Sequence, residues 1–198
     1  MCHNSLDFGL NLRCFFVYDD IVCCKCREML VKCNRIVMLA DLKVRALYQY
    51  TESFQKLIIQ FKELGDEALA DIVIYPFTKK LHRQYRRYTA VGIPSSPTKV
   101  HQRGFSHVEL MFRLLDLEYR EVFEKDEFSQ KQQSFITRSE VSRHITLEMA
   151  ANLSGPILLV DDLLTTGATM LTCYRLLQAQ GYYVEALVGA ISTKLLEA

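Results

Sequence analysis

The chain has 198 residues, a formal net charge of +1, 49% apolar residues and 24% charged ones. Those figures fit a soluble globular domain with a small appendage, and they exclude a global electrostatic field that would recruit nucleic acid. No stretch is long and apolar enough for a membrane-spanning helix, and the N-terminus does not read as a secretory signal.

Cys2, Cys14, Cys23, Cys24, Cys26 and Cys33 crowd residues 1–33, with Cys173 far away. An odd number of thiols bunched at one end argues against a disulfide framework and for a reducing cytosol. Cys23 and Cys26 form a C-x-x-C pair, the spacing that brings two thiolates to one tetrahedral metal. A complete zinc site needs a second pair of ligands, for which Cys2, with His3 or Cys14, is what the preceding residues offer. Cys2, Cys23 and Cys26 are therefore candidate zinc ligands; the alternative is a cluster of free thiols packed as small hydrophobes.

Two β-rich runs, 35–39 and 44–50, flank Asp41-Leu42 and predict a hairpin. Thr51 or Ser53 then caps a helix to about Leu64, with Phe54, Leu57, Ile58 and Phe61 on its apolar face and Gly65 ending it. Residues 71–77 have the content of a strand, yet their surroundings have helical spacing, and Pro76 argues against a central strand. Lys79, Lys80, His82, Arg83, Arg86 and Arg87 make a basic cluster with Tyr85 and Tyr88 between them. It reads as a solvated helix face or, more sharply, as a nucleic-acid patch. Residues 89–94 predict a short strand followed by the turn Ser95-Ser96-Pro97. A helix to about Leu115 and a short strand at Val122-Phe123 come next. Residues 124–144 are polar and charged, as a surface loop would be.

The most informative stretch is 157–170, ILLVDDLLTTGATM. Four apolar residues lead into Asp161 and Asp162, then into Thr165, Thr166, Gly167, Ala168 and Thr169 and a helical pattern. A short apolar run ahead of a helix reads as a buried parallel strand of an α/β sheet, where ligands sit at the carboxyl ends of strands. The Thr-Thr-Gly turn would offer backbone N–H groups, hydroxyls and the positive end of a helix to an anion. Consecutive strand residues point to opposite faces, so one acid would face a ligand and the other a sheet edge or neighbouring loop. Carboxylates accept hydrogen bonds from ribose hydroxyls, so the acid pair followed by an anion cradle describes a phosphorylated ribose. The plain alternative is a strand–turn–helix with a capping threonine. Met170, Leu171, Tyr174, Leu176 and Leu177 then give a helix ended by Gly181, with Cys173 in the core, and 183–191 is the last strand.

Residues 157–169 resemble the phosphoribosyl diphosphate (PRPP) signature of type I phosphoribosyltransferases, and the chain as a whole resembles the ComF/GntX family within them. The segment from His101 to His107 is similar to that family's R-G-F-N-Q segment: Arg103, Gly104 and Phe105 match, whereas Ser106 and His107 depart. Gln130 and Arg138 keep a family spacing, while Lys125 and Val141 replace an arginine and an asparagine. The resemblance implies an α/β fold of type I phosphoribosyltransferase kind, a mainly parallel sheet flanked by helices, with a small cysteine-containing N-terminal module. On that division 1–33 is a degenerate zinc ribbon and 34–198 the phosphoribosyltransferase-like domain. It also implies helix over 66–88 and a ligand-covering hood over 124–144.

In the same terms Asp161 and Asp162 would hold the ribose hydroxyls, directly or through Mg²⁺. Residues 165–169 would hold the 5′-phosphate, and Ser95, Ser96 and Arg103 would face the diphosphate. Phe105 would anchor its loop or stack on a base, and His107 reads as a helix-start residue rather than a base. The implied function is Mg²⁺-dependent PRPP binding with phosphoribosyl transfer to an unnamed acceptor. The alternative is a non-catalytic cytoplasmic factor of DNA uptake in transformation, binding single-stranded DNA and a ComF-type helicase partner.

Overall fold

The computed structural model describes residues 21–95, 97–125, 145–148 and 153–196. Cys2, Ser96, Gln130, Arg138 and most of the hood expected over 124–144 lie outside them. Helix α1 spans Cys24–Glu28, strand β1 Lys32–Leu39 and strand β2 Leu42–Gln49. The two strands are the expected hairpin, antiparallel with Leu39 opposite Leu42 across the turn.

Helix α2, Glu52–Glu63, starts where Thr51 accepts a hydrogen bond from the Phe54 N–H, and it buries Phe54, Leu57, Ile58 and Phe61. Burial of each is worth about 2 kcal/mol. Helical turns run from Glu67 to Tyr85, within the 66–88 stretch where the resemblance implied a helix: α3 is Ala70–Ile74 and α4 is Thr78–Tyr85. Pro76 sits in a single 3₁₀ turn, Tyr75–Phe77, between them, where a missing N–H costs no interior helical bond. Strand content misleads at 71–77 because Ile72, Val73 and Ile74 are buried in succession.

The remaining elements are β3 (Thr89–Gly92), α5 (Pro97–Arg103), α6 (His107–Phe112), β4 (Tyr119–Arg120), β5 (Phe123–Lys125), β6 (Ile145–Leu147), β7 (Ile157–Leu164), α7 (Ala168–Ala179), β8 (Val184–Ile191) and α8 (Thr193–Leu196). One sheet has the order β1-β2-β8-β7-β3-β4, and β5 pairs with β6 in a second. Every neighbour pair from β2 to β4 is parallel. The architecture is thus the mainly parallel α/β sheet flanked by helices that the sequence predicts. Leu158, Val160 and Leu187 pack under α2, α3, α4 and α6 on one face. Ile157, Leu159, Ala186 and Val188 pack under α7 on the other.

This order creates a switch point. From β3 the chain moves outward to β4, whereas from its neighbour β7 it moves the opposite way to β8. Connections leave in opposite directions, so a crevice opens between the carboxyl ends of β3 and β7. The ladder between them stops early, at Gly92 opposite Val160 and the Ile93 N–H bond to the Val160 carbonyl. Strand β7 runs on against β8 to Leu164, and Asp161 and Asp162 lie on the part that outlasts β3.

At the other end of the chain, Arg27 of α1 donates to the Ile72 carbonyl at 2.7 Å and to the Tyr48 hydroxyl at 3.3 Å, holding the cysteine-bearing segment against α3 and β2. Among the described residues no helix is long and apolar enough to cross a membrane.

Candidate functional site

Strict alternation would send the two acids of β7 to opposite faces, and the structure differs. Leu158, Val160 and Leu163 pack on one face, while Ile157, Leu159 and Leu164 pack on the other. The alternation therefore slips by one residue at Asp161-Asp162. The Asp161 Oδ1 accepts the Asp162 N–H at 2.8 Å. The two carboxylates and the His107 ring come together, with ligand atoms all within 4.8 Å of one another.

His107 opens α6 as expected, but it also joins the acids, a role that its place in the sequence did not suggest. Its ring is buried, with Nε2 3.4 Å from Asp162 Oδ1 and Nδ1 3.4 Å from an Arg103 guanidinium nitrogen. Arginine can only donate, so Nδ1 accepts and the proton sits on Nε2, facing Asp162. The same Asp162 oxygen accepts the Lys62 ammonium at 2.9 Å. Arg103 also pairs with Glu63 at 2.8 Å. Glu63, Arg103, His107, Asp162 and Lys62 thus form a ring, closed only through the backbone between Lys62 and Glu63, that links the ends of α2 and α5, the start of α6 and β7.

The ring sets the protonation states. Burial pushes the Asp161 carboxyl well up, and the neighbouring Asp162 charge adds to it. Burial would also raise Asp162, but the hydrogen bond from His107 and the Lys62 ammonium hold it well below the usual carboxylate range. Burial lowers His107, with Lys62 and Arg103 acting the same way and Asp162 opposing them. His107 is therefore neutral in the fold at neutral pH and titrates in the unfolded chain near pH 6.5.

More protons bind the unfolded state in that range, so His107 lowers stability as pH falls from about 6.5 toward its folded value. His107→Gln keeps a donor toward Asp162. It is expected to flatten the fall in stability between about pH 7 and pH 5, by at most about 1.4 kcal/mol per pH unit. Urea midpoints across that range check this; an unchanged slope refutes the buried neutral ring.

After β7 the chain bends at Thr165 and Thr166 and enters α7 through Gly167, whose φ of 75° suits glycine. Thr166 is exposed, and its hydroxyl accepts the Ala168 N–H at 3.5 Å, a long capping contact. Thr165 is half-buried and Gly167 buried, and the Leu39 side chain closes the side on which a Gly167 Cβ would point. Ser95 follows β3 across the switch point and is half-buried. Arg103 lines a cleft of about 380 Å³ together with Lys62, Glu63, Leu64, Gly65 and Gln102. Phe105 is half-buried and packs on Phe61 with ring centres 5.7 Å apart, which anchors its loop.

The basic cluster divides. Lys79, Lys80, Arg83, Arg86 and Arg87 are exposed, but Tyr85 is buried and Tyr88 packs edge-on against it. Tyr85 is therefore core rather than an interleaved stacking surface. Cys23 is half-buried and Cys26 is buried. Among the described residues no third metal-binding side chain joins them.

Two competence proteins named ComFC are similar to this chain. That of Streptococcus pneumoniae is 29% identical over 160 residues, 79% of this chain and 70% of that protein. That of Bacillus subtilis is 24% identical over 214 residues, 91% and 88% of the two. The chain is thus similar to ComFC competence proteins. No family model matches the chain. Solved structures similar to it include orotate phosphoribosyltransferase from Aeropyrum pernix, at 17% identity over 87% of this chain and 93% of that one with a TM-score of 0.38. Adenine phosphoribosyltransferase from Leishmania tarentolae is 13% identical over 81% and 96%, with a TM-score of 0.42.

Proposed function

We propose that the ComF-like chain is a competence-related cytoplasmic protein that binds PRPP or a related phosphoribosyl ligand at the β3–β7 switch point. The observation that carries this reading is the joint placement of Asp161 and Asp162 on the part of β7 that outlasts β3 and of the Thr165–Thr166 bend directly after it. The acids face a diol, and the bend with the N-terminus of α7 faces its 5′-phosphate. Ser95, Ser96 and Arg103 take the diphosphate, Arg103 through a delocalised fork that suits phosphoryl oxygens.

The donor set fits Mg²⁺, since two carboxylates supply hard oxygens and the ligand supplies the rest. Asp161 and Asp162 would hold it, and when bound it would neutralise the leaving diphosphate. Ionised Asp162 would then stabilise cationic character at the anomeric carbon during phosphoribosyl transfer. Neutral His107 keeps that carboxylate oriented.

Calorimetry with PRPP and Mg²⁺ tests the reading. The chain is expected to bind, and Asp161→Asn/Asp162→Asn to lose at least about a hundredfold in affinity, equivalent to about 2.7 kcal/mol. Equal binding by both proteins refutes it.

A second function rests on a different surface. Exposed Lys79, Lys80, Arg83, Arg86 and Arg87 lie along and just beyond α4. Arg86 and Arg87 sit at the amino ends of the strands, the far end of the sheet from the acids. Such a stripe suits the backbone of single-stranded DNA in uptake alongside a helicase partner. Binding that weakens steeply with salt and is lost in Arg83→Ala/Arg86→Ala/Arg87→Ala would support it, and salt-independent binding would refute it. Cys2, Cys23 and Cys26 remain the proposed zinc ligands, which metal analysis of the purified chain tests.

A further inference from the structure

The ring around Asp162 leaves a problem for any ligand of the acid pair. Asp162 Oδ1 already accepts Lys62 at 2.9 Å and lies 3.4 Å from the His107 Nε2 proton. That oxygen has about two lone-pair directions, so its capacity is filled. A cation or a diol that needs this oxygen must displace one of the two donors. His107 cannot leave easily, since its ring is buried, its other nitrogen is engaged by Arg103, and α6 fixes its backbone. Lys62 can leave. Its ammonium rides on a flexible stem, its side chain keeps 17% exposure, and the surface it reaches is the cleft that Arg103 also lines.

We infer that Lys62 is an exchangeable cation of the site. In the free chain it neutralises Asp162, and on binding it turns into the cleft and pairs with phosphoryl oxygens beside Arg103. This rests on the PRPP reading and adds to it a phosphate-binding residue on α2. The charges permit the exchange. Glu63 and Arg103, Asp162 and Lys62 balance in pairs while His107 is neutral. An incoming diphosphate frees Arg103 from Glu63, which is exposed and cheap to release. It offers Lys62 a new anion as a divalent cation takes over Asp162. Binding of the metal and of the phosphoryl group is thereby coupled: the free chain holds a divalent cation weakly because its own ammonium competes.

Alternatively, the pair serves only to tie the last turn of α2 to β7, and Lys62 never moves. Two measurements separate these. Mn²⁺ alone serves as the probe of the acid pair, followed by electron paramagnetic resonance of the free ion, and PRPP with Mg²⁺ is followed by calorimetry. Lys62→Met keeps the stem and removes the charge; Lys62→Arg keeps the charge. Circular dichroism melts confirm that both fold.

Lys62→Met is expected to bind Mn²⁺ at least about tenfold more tightly than the wild type and PRPP at least about tenfold more weakly, as loss of a partly screened charge at this range implies. Lys62→Arg is expected to bind Mn²⁺ as the wild type does. Unchanged Mn²⁺ affinity in Lys62→Met overturns the inference, as does unchanged PRPP affinity in Lys62→Met where the wild type binds PRPP. A Lys62→Met chain that does not fold shifts the decision to Lys62→Arg, where Mn²⁺ binding tighter than the wild type overturns it. If the wild type takes up no PRPP, the reading of the site fails and the exchange to phosphoryl oxygens fails with it, whatever Mn²⁺ does.

Discussion

Asp162→Ala is expected to lower folding stability by about 3 kcal/mol and to abolish the PRPP binding proposed for the site. The loss follows from what the carboxylate leaves behind. Lys62 and the buried His107 both point at one oxygen, and deleting it strands a charge and a ring N–H in surroundings where Asp162 itself is 10% exposed. Full burial of both partners would place the cost at the top of the range for broken buried pairs, about 3–5 kcal/mol. The exposure of Lys62 lets its ammonium reach water and brings the figure to the lower end. Asp162→Asn keeps an acceptor and is expected to cost less, about 1–2 kcal/mol, with the same loss of binding.

The pH dependence separates the two acids. Asp162 is held low in the fold, so its contribution is full above about pH 4 and fades only as pH falls through its folded value. Asp161 is raised, so the wild type gains stability as pH falls through that folded value, and removing the Asp162 charge takes away part of the gain. Urea midpoints from pH 7 down to pH 4 for the two proteins should therefore diverge further on mild acidification. Parallel curves would show that the carboxylates do not sense each other.

The sequence exposed the parts of this site that are local in the chain. An apolar run, two acids and a Thr-Thr-Gly turn specify strand, strand end and helix entry within fourteen residues. The hairpin and the buried face of α2 were legible for the same reason, because short-range periodicity states which side is wet. The ring was not legible. Lys62 and His107 meet Asp162 across 100 and 55 residues of chain, and nothing in their own neighbourhoods marks them. The one available hint for His107 was its spacing of four from Arg103, which a helical continuation would stack on one face. Strand β4 was missed because two residues carry no alternation to read. The basic cluster was over-read at Tyr85, since a tyrosine at helical spacing looks the same whether it faces solvent or core.

Gly189 supplies the remaining physical link between fold and site, and its substitution is the sharper test. It lies in β8 beside the slip in β7, and a Cβ there would stand 2.8 Å from the Asp162 carbonyl oxygen and 3.4 Å from Phe54 and Val73. The closest of these atoms belongs to backbone of the central strand, which cannot rotate away. Gly189→Ala is expected to cost about 2–3 kcal/mol as an overpacking change. The strain can be relieved by moving Asp162, which would loosen its contacts with Lys62 and His107, so PRPP affinity should fall along with the urea midpoint.

Gly92 provides the comparison, because it ends β3 on the opposite side of the crevice and a Cβ there would meet the Tyr119 hydroxyl. That atom is the tip of a side chain on the edge strand, and it can yield. Gly92→Ala is expected to cost about 1 kcal/mol and to leave the acid pair where it is. If the two substitutions cost the same, or if Gly189→Ala destabilises the chain while PRPP affinity holds, then the approach of β8 to Asp162 does not set the position of the acids.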